Sequence, residues 1–199
     1  MQNIEVISND FLDDFSNDNK RVLYLDSDVT DENINNIITS IININKDDSK
    51  NEKSYQLSGH TYNREPIYLY INSYGGNVYD GLALIGLIQQ SKTPVYTVAT
   101  GKVMSMALIL TVVGHKRFAT PYTTFMFHSV NGFSCGSLGD LEADLEEKQR
   151  LNKLLVDLFK SKTDFDSKFL KKIKSGKKDY YFDTETALQK NVIDHLVSL

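Results

Sequence analysis

The chain has 199 residues, 41% of them hydrophobic, enough to bury a sizeable core within one globular domain. A net charge of −4 and a pI near 5.6 argue against nucleic acid as the main partner. The lone cysteine, Cys135, excludes an internal disulfide and fits a reducing compartment, so a cytoplasmic location is expected.

Residues 1–20 are polar and acidic, with neither the basic start nor the apolar core of a secretory signal. They are read as a flexible segment ahead of a single domain over residues 21–199. A first strand is expected at Val22-Leu23-Tyr24-Leu25. A helix follows from Asp31 to Ile44, where Ile34, Ile37, Ile38, Ile41 and Ile42 recur at helical spacing behind the capping candidates Thr30 and Asp31. Residues 46–65 are polar and read as an insertion loop, a surface excursion that affects partner contact.

Ile67 to Ile71 reads as a buried strand that ends in a polar turn carrying two adjacent glycines, Gly75 and Gly76. Such a pair lets the backbone turn sharply or come close to another group. Helix 79–90, strand 95–99, helix 105–113 and strands 117–119 and 124–128 then alternate, which implies an α/β fold with a parallel-rich sheet. The longest apolar stretch, Met106 to Val113, is too short to span a bilayer, so no membrane partner is expected. After the glycine-rich segment 131–139, a long helix is expected over 140–160. Its Glu142 to Arg150 region is strongly charged, so residues 131–160 are read as a handle that projects and relies on another subunit for burial. A short helix at 167–174, a strand at 180–182, a helix at 184–190 and an apolar stretch at 192–197 complete the chain.

Three strand ends carry chemistry: the Gly75-Gly76 turn, Ser105 between two methionines, and His128 after Phe125-Met126-Phe127. A serine hydroxyl attacks a carbonyl only when a base takes its proton, and the oxyanion that forms needs N–H donors such as those at a helix start. Taken singly, Ser105 also fits a helix cap and His128 a hydrogen-bonded core residue. His60, His115 and His195 have no metal-ligand spacing with one another or with Cys135, so no metal is expected. The glycine pair lacks the continuation of a phosphate loop or dinucleotide fingerprint, so no cofactor is expected.

Jointly, these segments resemble a family, the proteolytic subunit of the ATP-dependent Clp protease (ClpP). Its strand and turn I-Y-L-Y-I-N-S-P-G-G-S-V is matched by Ile67 to Val78, with Tyr74 and Asn77 as the differences. Its segment G-Q-A-A-S-M-G-A is matched by Gly101 to Leu108, and K-R-(Y/F)-x-x-P-x-(S/T)-x-x-M-(I/L)-H by Lys116 to His128. Asp179 through Asp194 is similar to the family's closing motif. The resemblance implies a ClpP/crotonase-type α/β fold of repeated ββα units with a handle helix. It implies Ser105 as nucleophile, His128 as general base and Asp179 as the orienting carboxylate, with Asp183 as a rival. It also implies Gly76 and Met106 amides as the oxyanion hole, and Gly75, Gly132, Phe133 and Ser134 as substrate-binding positions, the last three on an edge strand.

The implied activity is that of a serine endopeptidase acting on unfolded polypeptides inside stacked heptameric rings, fed by an AAA+ unfoldase. The rings are homo-oligomeric or mixed with a paralogue. The alternative is a catalytically silent scaffold subunit of a mixed ring. Departures from the family pattern fall at His128-Ser129-Val130, at Phe133 and at Lys177-Lys178.

Overall fold

The computed structural model describes residues 20–170 and 179–197. Residues 1–19 and the pair Lys177-Lys178 lie outside the described residues, as does the end of the helix expected at 167–174, of which 167–170 are helical. Strands β1 (Val22–Leu25), β2 (Ile67–Ser73), β3 (Val95–Met104), β4 (Lys116–Ala119) and β7 (His195–Leu196) pair in parallel in the order β1-β2-β3-β4-β7. Strand β5 (Thr124–Phe127) joins the far half of β3 in parallel, and β6 (Tyr180–Phe182) runs antiparallel to β5. The sheet is thus a mixed but parallel-dominated one, as expected for the family fold.

The register of β3 creates this branch. Its first half, Tyr96 to Ala99, pairs with β4; its second half, Lys102 to Met104, pairs with β5. Between them Gly101 has φ 55°, and a methyl group there would stand 2.9 Å from Asn72 Oδ1. The positive φ strains any residue with a side chain, and so the strand expected at 95–99 bends at a glycine and continues to Met104.

Strand β2 alternates strictly. Ile67, Leu69, Ile71 and Ser73 are buried, while Tyr68 and Tyr70 lie on the opposite face. There the tyrosines form an aromatic layer with Tyr24, Tyr96 and Phe118 at centroid separations of 5.5–5.9 Å. The main core lies on the other face, under α1 (Asp31–Leu57), α2 (Val78–Gln90) and α3 (Met106–Val112).

Helix α1 corrects the insertion loop expected at 46–65: it runs unbroken to Leu57, and the chain returns to β2 over residues 58–66. Its buried stripe Ile34, Ile37, Ile41, Ile44 continues one turn further with Asp48, a fully buried carboxylate. Asp48 accepts hydrogen bonds from Arg21, from Thr93 Oγ1 at 2.6 Å and from Tyr62 OH at 2.8 Å. Burial opposes its ionisation, but these donors prevail and hold its pKa below the ordinary value.

Helix α4 (Leu138–Lys162) opens with a capping box made by Ser137 and Asp140. Its second half is anchored in the core through Leu151, Leu155 and Phe159, the last stacked on Phe127 at 4.7 Å. The first half is tied to α2 by the hydrogen bond from Tyr79 OH to Glu147 at 2.6 Å. Leu138 (74% exposed) and Leu145 (56%) on the first half stand free of the body. A short α5 (Thr184–Gln189) precedes β7, whose neighbourhood is stapled by Arg117: its N–H and Nε donate to Asp194 Oδ2 at 2.8 and 3.2 Å. No helix among the described residues is long and apolar enough to cross a membrane.

Candidate active site

Ser105 is the single residue between the end of β3 and the start of α3. It turns the chain with φ 54° and ψ −122°, a conformation rarely tolerated by a residue with a side chain. Its N–H donates to Met126 O at 2.9 Å, which ties the turn to β5. The hydroxyl does not cap α3; it lies 2.6 Å from His128 Nε2. Parallel pairing of β3 with β5 carries both chains in the same direction, so residues just past Met104 and Phe127 emerge side by side.

The glycine turn packs directly on this corner. Gly75 and Gly76 have φ 98° and 148°, and a methyl group on Gly75 would stand 2.7 Å from Met104 O and 2.8 Å from Ser105 Cβ. A methyl on Gly76 would stand 2.4 Å from Val29 O. Val29 pairs with the turn through Val29 N–H to Gly75 O and Asn77 N–H to Val29 O, both 2.8 Å. In such a parallel bridge the N–H of Gly76 points away from Val29. Met106 opens α3, so its N–H has no acceptor within the helix. Gly76 and Met106 line, with Ser105, His128 and Asn152, a cavity of about 50 Å³.

Asp179 reaches the site by register. Phe127 pairs with Tyr180 in the antiparallel β5–β6 ladder, so the next position sets His128 opposite Asp179. Its Oδ1 is 3.9 Å from His128 Nδ1, and the carboxylate is half-exposed. Asp183 sits beyond the other end of β6 and caps α5, accepting from Thr186 N at 2.9 Å. His128 is largely buried, and burial lowers its pKa below the ordinary value while the Asp179 charge pulls the other way.

The substrate-binding positions other than Gly75 are not gathered at Ser105. Residues 128–136 pair with no strand of the same chain, and Phe133 is 91% exposed. Lys148 of α4 holds the segment instead, donating to Gly132 O at 3.2 Å, to Ser134 Oγ and to Asp144 Oδ2 at 2.7 Å. The Lys148 ammonium thus supplies donors to the carbonyls of Gly132 and Phe133.

Two residues escaped the sequence reading. Asn131 Nδ2 lies 3.3 Å from His128 Nδ1, closer than Asp179. Asn152, buried between Leu151 and Leu155, accepts the Val130 N–H at 3.0 Å and pins the chain just after His128. A polar residue inside the apolar stripe of α4 was the available signal for Asn152; nothing in the sequence marked Asn131.

Comparison with known proteins gives the chain's relatives. A family model described as Clp protease matches residues 11–199. The chain is 32% identical over 183 residues to the ATP-dependent Clp protease proteolytic subunit 3 of Synechococcus sp. (strain CC9605), covering 90% of this chain and 83% of that relative. It is 30% identical over 179 residues to the ATP-dependent Clp protease proteolytic subunit of Deinococcus radiodurans, with 89% and 80% covered. For the corresponding subunit of Borreliella afzelii the identity is 27% over 180 residues, with 89% and 83% covered.

Proposed function

Because the chain belongs to the Clp protease family, whose members are serine peptidases, we propose that it is a serine endopeptidase with Ser105, His128 and Asp179 as its triad. The observation that carries this reading is the 2.6 Å approach of Ser105 Oγ to His128 Nε2 on a strained turn whose hydroxyl makes no capping bond to the helix.

In this mechanism Ser105 Oγ attacks the peptide carbonyl carbon while its proton passes to His128 Nε2. The N–H groups of Gly76 and Met106 hold the oxyanion. Collapse breaks the C–N bond, and the leaving amine takes the proton from His128. Water then attacks the acyl-enzyme, giving its proton to His128, and Ser105 Oγ leaves and recovers it. In the reacting form the Asp179 carboxylate, brought from 3.9 Å into bonding distance, accepts the second ring proton from Nδ1; Asp183 is already engaged in its capping bond to Thr186 N.

We further propose that substrates are unfolded polypeptides, that the chain assembles into stacked heptameric rings, alone or with a paralogue, and that an AAA+ unfoldase delivers the substrate. The exposed leucines of the first half of α4 support burial against another subunit.

A second reading, a silent scaffold subunit of a mixed ring, is favoured by one observation: Asp179 stands 3.9 Å from Nδ1, beyond hydrogen-bonding reach. Labelling with a fluorophosphonate probe and hydrolysis of an unstructured peptide by the purified full-length protein, with its mass in solution measured in parallel, decide between the two. Stoichiometric labelling lost in Ser105→Ala, together with peptide hydrolysis, is the expected result. An unlabelled, inert but assembled protein would establish the scaffold instead.

A further inference from the structure

Neutral imidazole carries one N–H and one lone pair, and the partner of each nitrogen decides which is which. In the folded chain Nε2 of His128 faces Ser105 Oγ at 2.6 Å, and Nδ1 faces the side-chain amide of Asn131, with Nδ2 at 3.3 Å. An amide NH₂ can only donate. If it donates to Nδ1, the ring proton must sit on Nε2, where it is donated to the serine oxygen. A ring in that tautomer has no lone pair with which to take the proton of Ser105.

We infer that Asn131 is a positioning residue that sets the tautomer of His128, and that with Nδ2 on Nδ1 it holds the base in an idle form. The inference rests on the reading of Ser105 and His128 as the reacting pair. Asp179 demands the opposite tautomer, since a carboxylate only accepts and needs Nδ1–H. It is the charged group acting on the ring among the described residues, but at 3.9 Å and half-exposed it makes no hydrogen bond. Asn131 is therefore the nearer of two competitors for one nitrogen. Two small movements release the base: rotation of the Asn131 amide to present Oδ1, which accepts from Nδ1–H, or a shift of Asp179 by about 1 Å into bonding distance as Asn131 withdraws. Asn131 is exposed, so neither movement disturbs the core.

The test reads the tautomer directly. Nitrogen-15 spectra of histidine-labelled full-length protein at pH 8, assigned with His128→Gln, distinguish the protonated from the bare ring nitrogen. The wild type is expected to carry its proton on Nε2. Asn131→Asp replaces the donor by an acceptor, so the proton moves to Nδ1, fluorophosphonate labelling of Ser105 speeds up about tenfold or more, and the pH limb of labelling shifts upward. Asn131→Leu, similar in volume but without an amide, shifts the tautomer the same way to a smaller extent. A wild-type proton on Nδ1, or a tautomer unmoved in both variants, overturns the inference. If the tautomer moves as described while no variant is ever labelled, the positioning role stands and the peptidase reading falls.

Discussion

Holding Ser105 at φ 54° costs about 1–3 kcal/mol, and the hydrogen bond from its N–H to Met126 O helps to hold the conformation. Ser105→Ala and Ser105→Gly both remove the hydroxyl, but only glycine relaxes the backbone. The glycine variant is expected to be more stable than the alanine variant by about 1 kcal/mol in chemical denaturation, although both lose labelling. Equal stability would mean that the turn is unstrained. At His128, burial disfavours the charged ring and lowers its pKa, with Asp179 opposing. The neutral ring is the proton acceptor and prevails above that lowered value. Labelling of Ser105 is therefore expected to rise with pH along a limb whose midpoint lies below 6.5, the ordinary histidine value. Asp179→Asn removes the opposing charge and moves the midpoint lower still; an upward move would contradict the assignment.

Between elements, the tightest constraint is the glycine turn seated on the β3–α3 corner. Gly75→Ala forces a methyl to 2.7 Å from a backbone carbonyl, which no rotamer change relieves. It is expected to cost roughly 2 kcal/mol or more, measured by denaturation, and to depress labelling at Ser105. Asp48→Ala leaves Arg21, Thr93 and Tyr62 without their shared acceptor and is expected to cost on the order of 3 kcal/mol. The native pKa of Asp48 is lowered, so its contribution is present at neutral pH and is lost as pH falls through that lowered value. These elements also show what was legible beforehand. Strand β2, its glycines and the serine corner could be read because alternation and turn chemistry are local. The extension of α1 could not: its apolar period stops at Ile44, and the next buried position is a carboxylate whose partner Arg21 is 27 residues away. Asp179 came from family likeness alone, since only the β5–β6 register sets it opposite His128. Arg117 and Asp194, prominent in the motifs, turn out to join β4 to the chain end.

As a whole, the molecule is well packed on one side of its sheet and unfinished along the first half of α4, where leucines meet solvent. If subunits bury that half, Leu145→Asp reduces the mass found by sedimentation and lowers labelling with it; an unchanged particle would place the contact elsewhere. Lys148 adds a condition to any such assembly. Its ammonium has three protons, and four acceptors lie within reach: the carbonyls of Gly132 and Phe133, Ser134 Oγ and Asp144. An extended peptide laid alongside residues 132–134 must take those carbonyls from it. Approach along this border is thus an exchange of one donor for another, eased by salt or by loss of the lysine charge, rather than the filling of vacant sites.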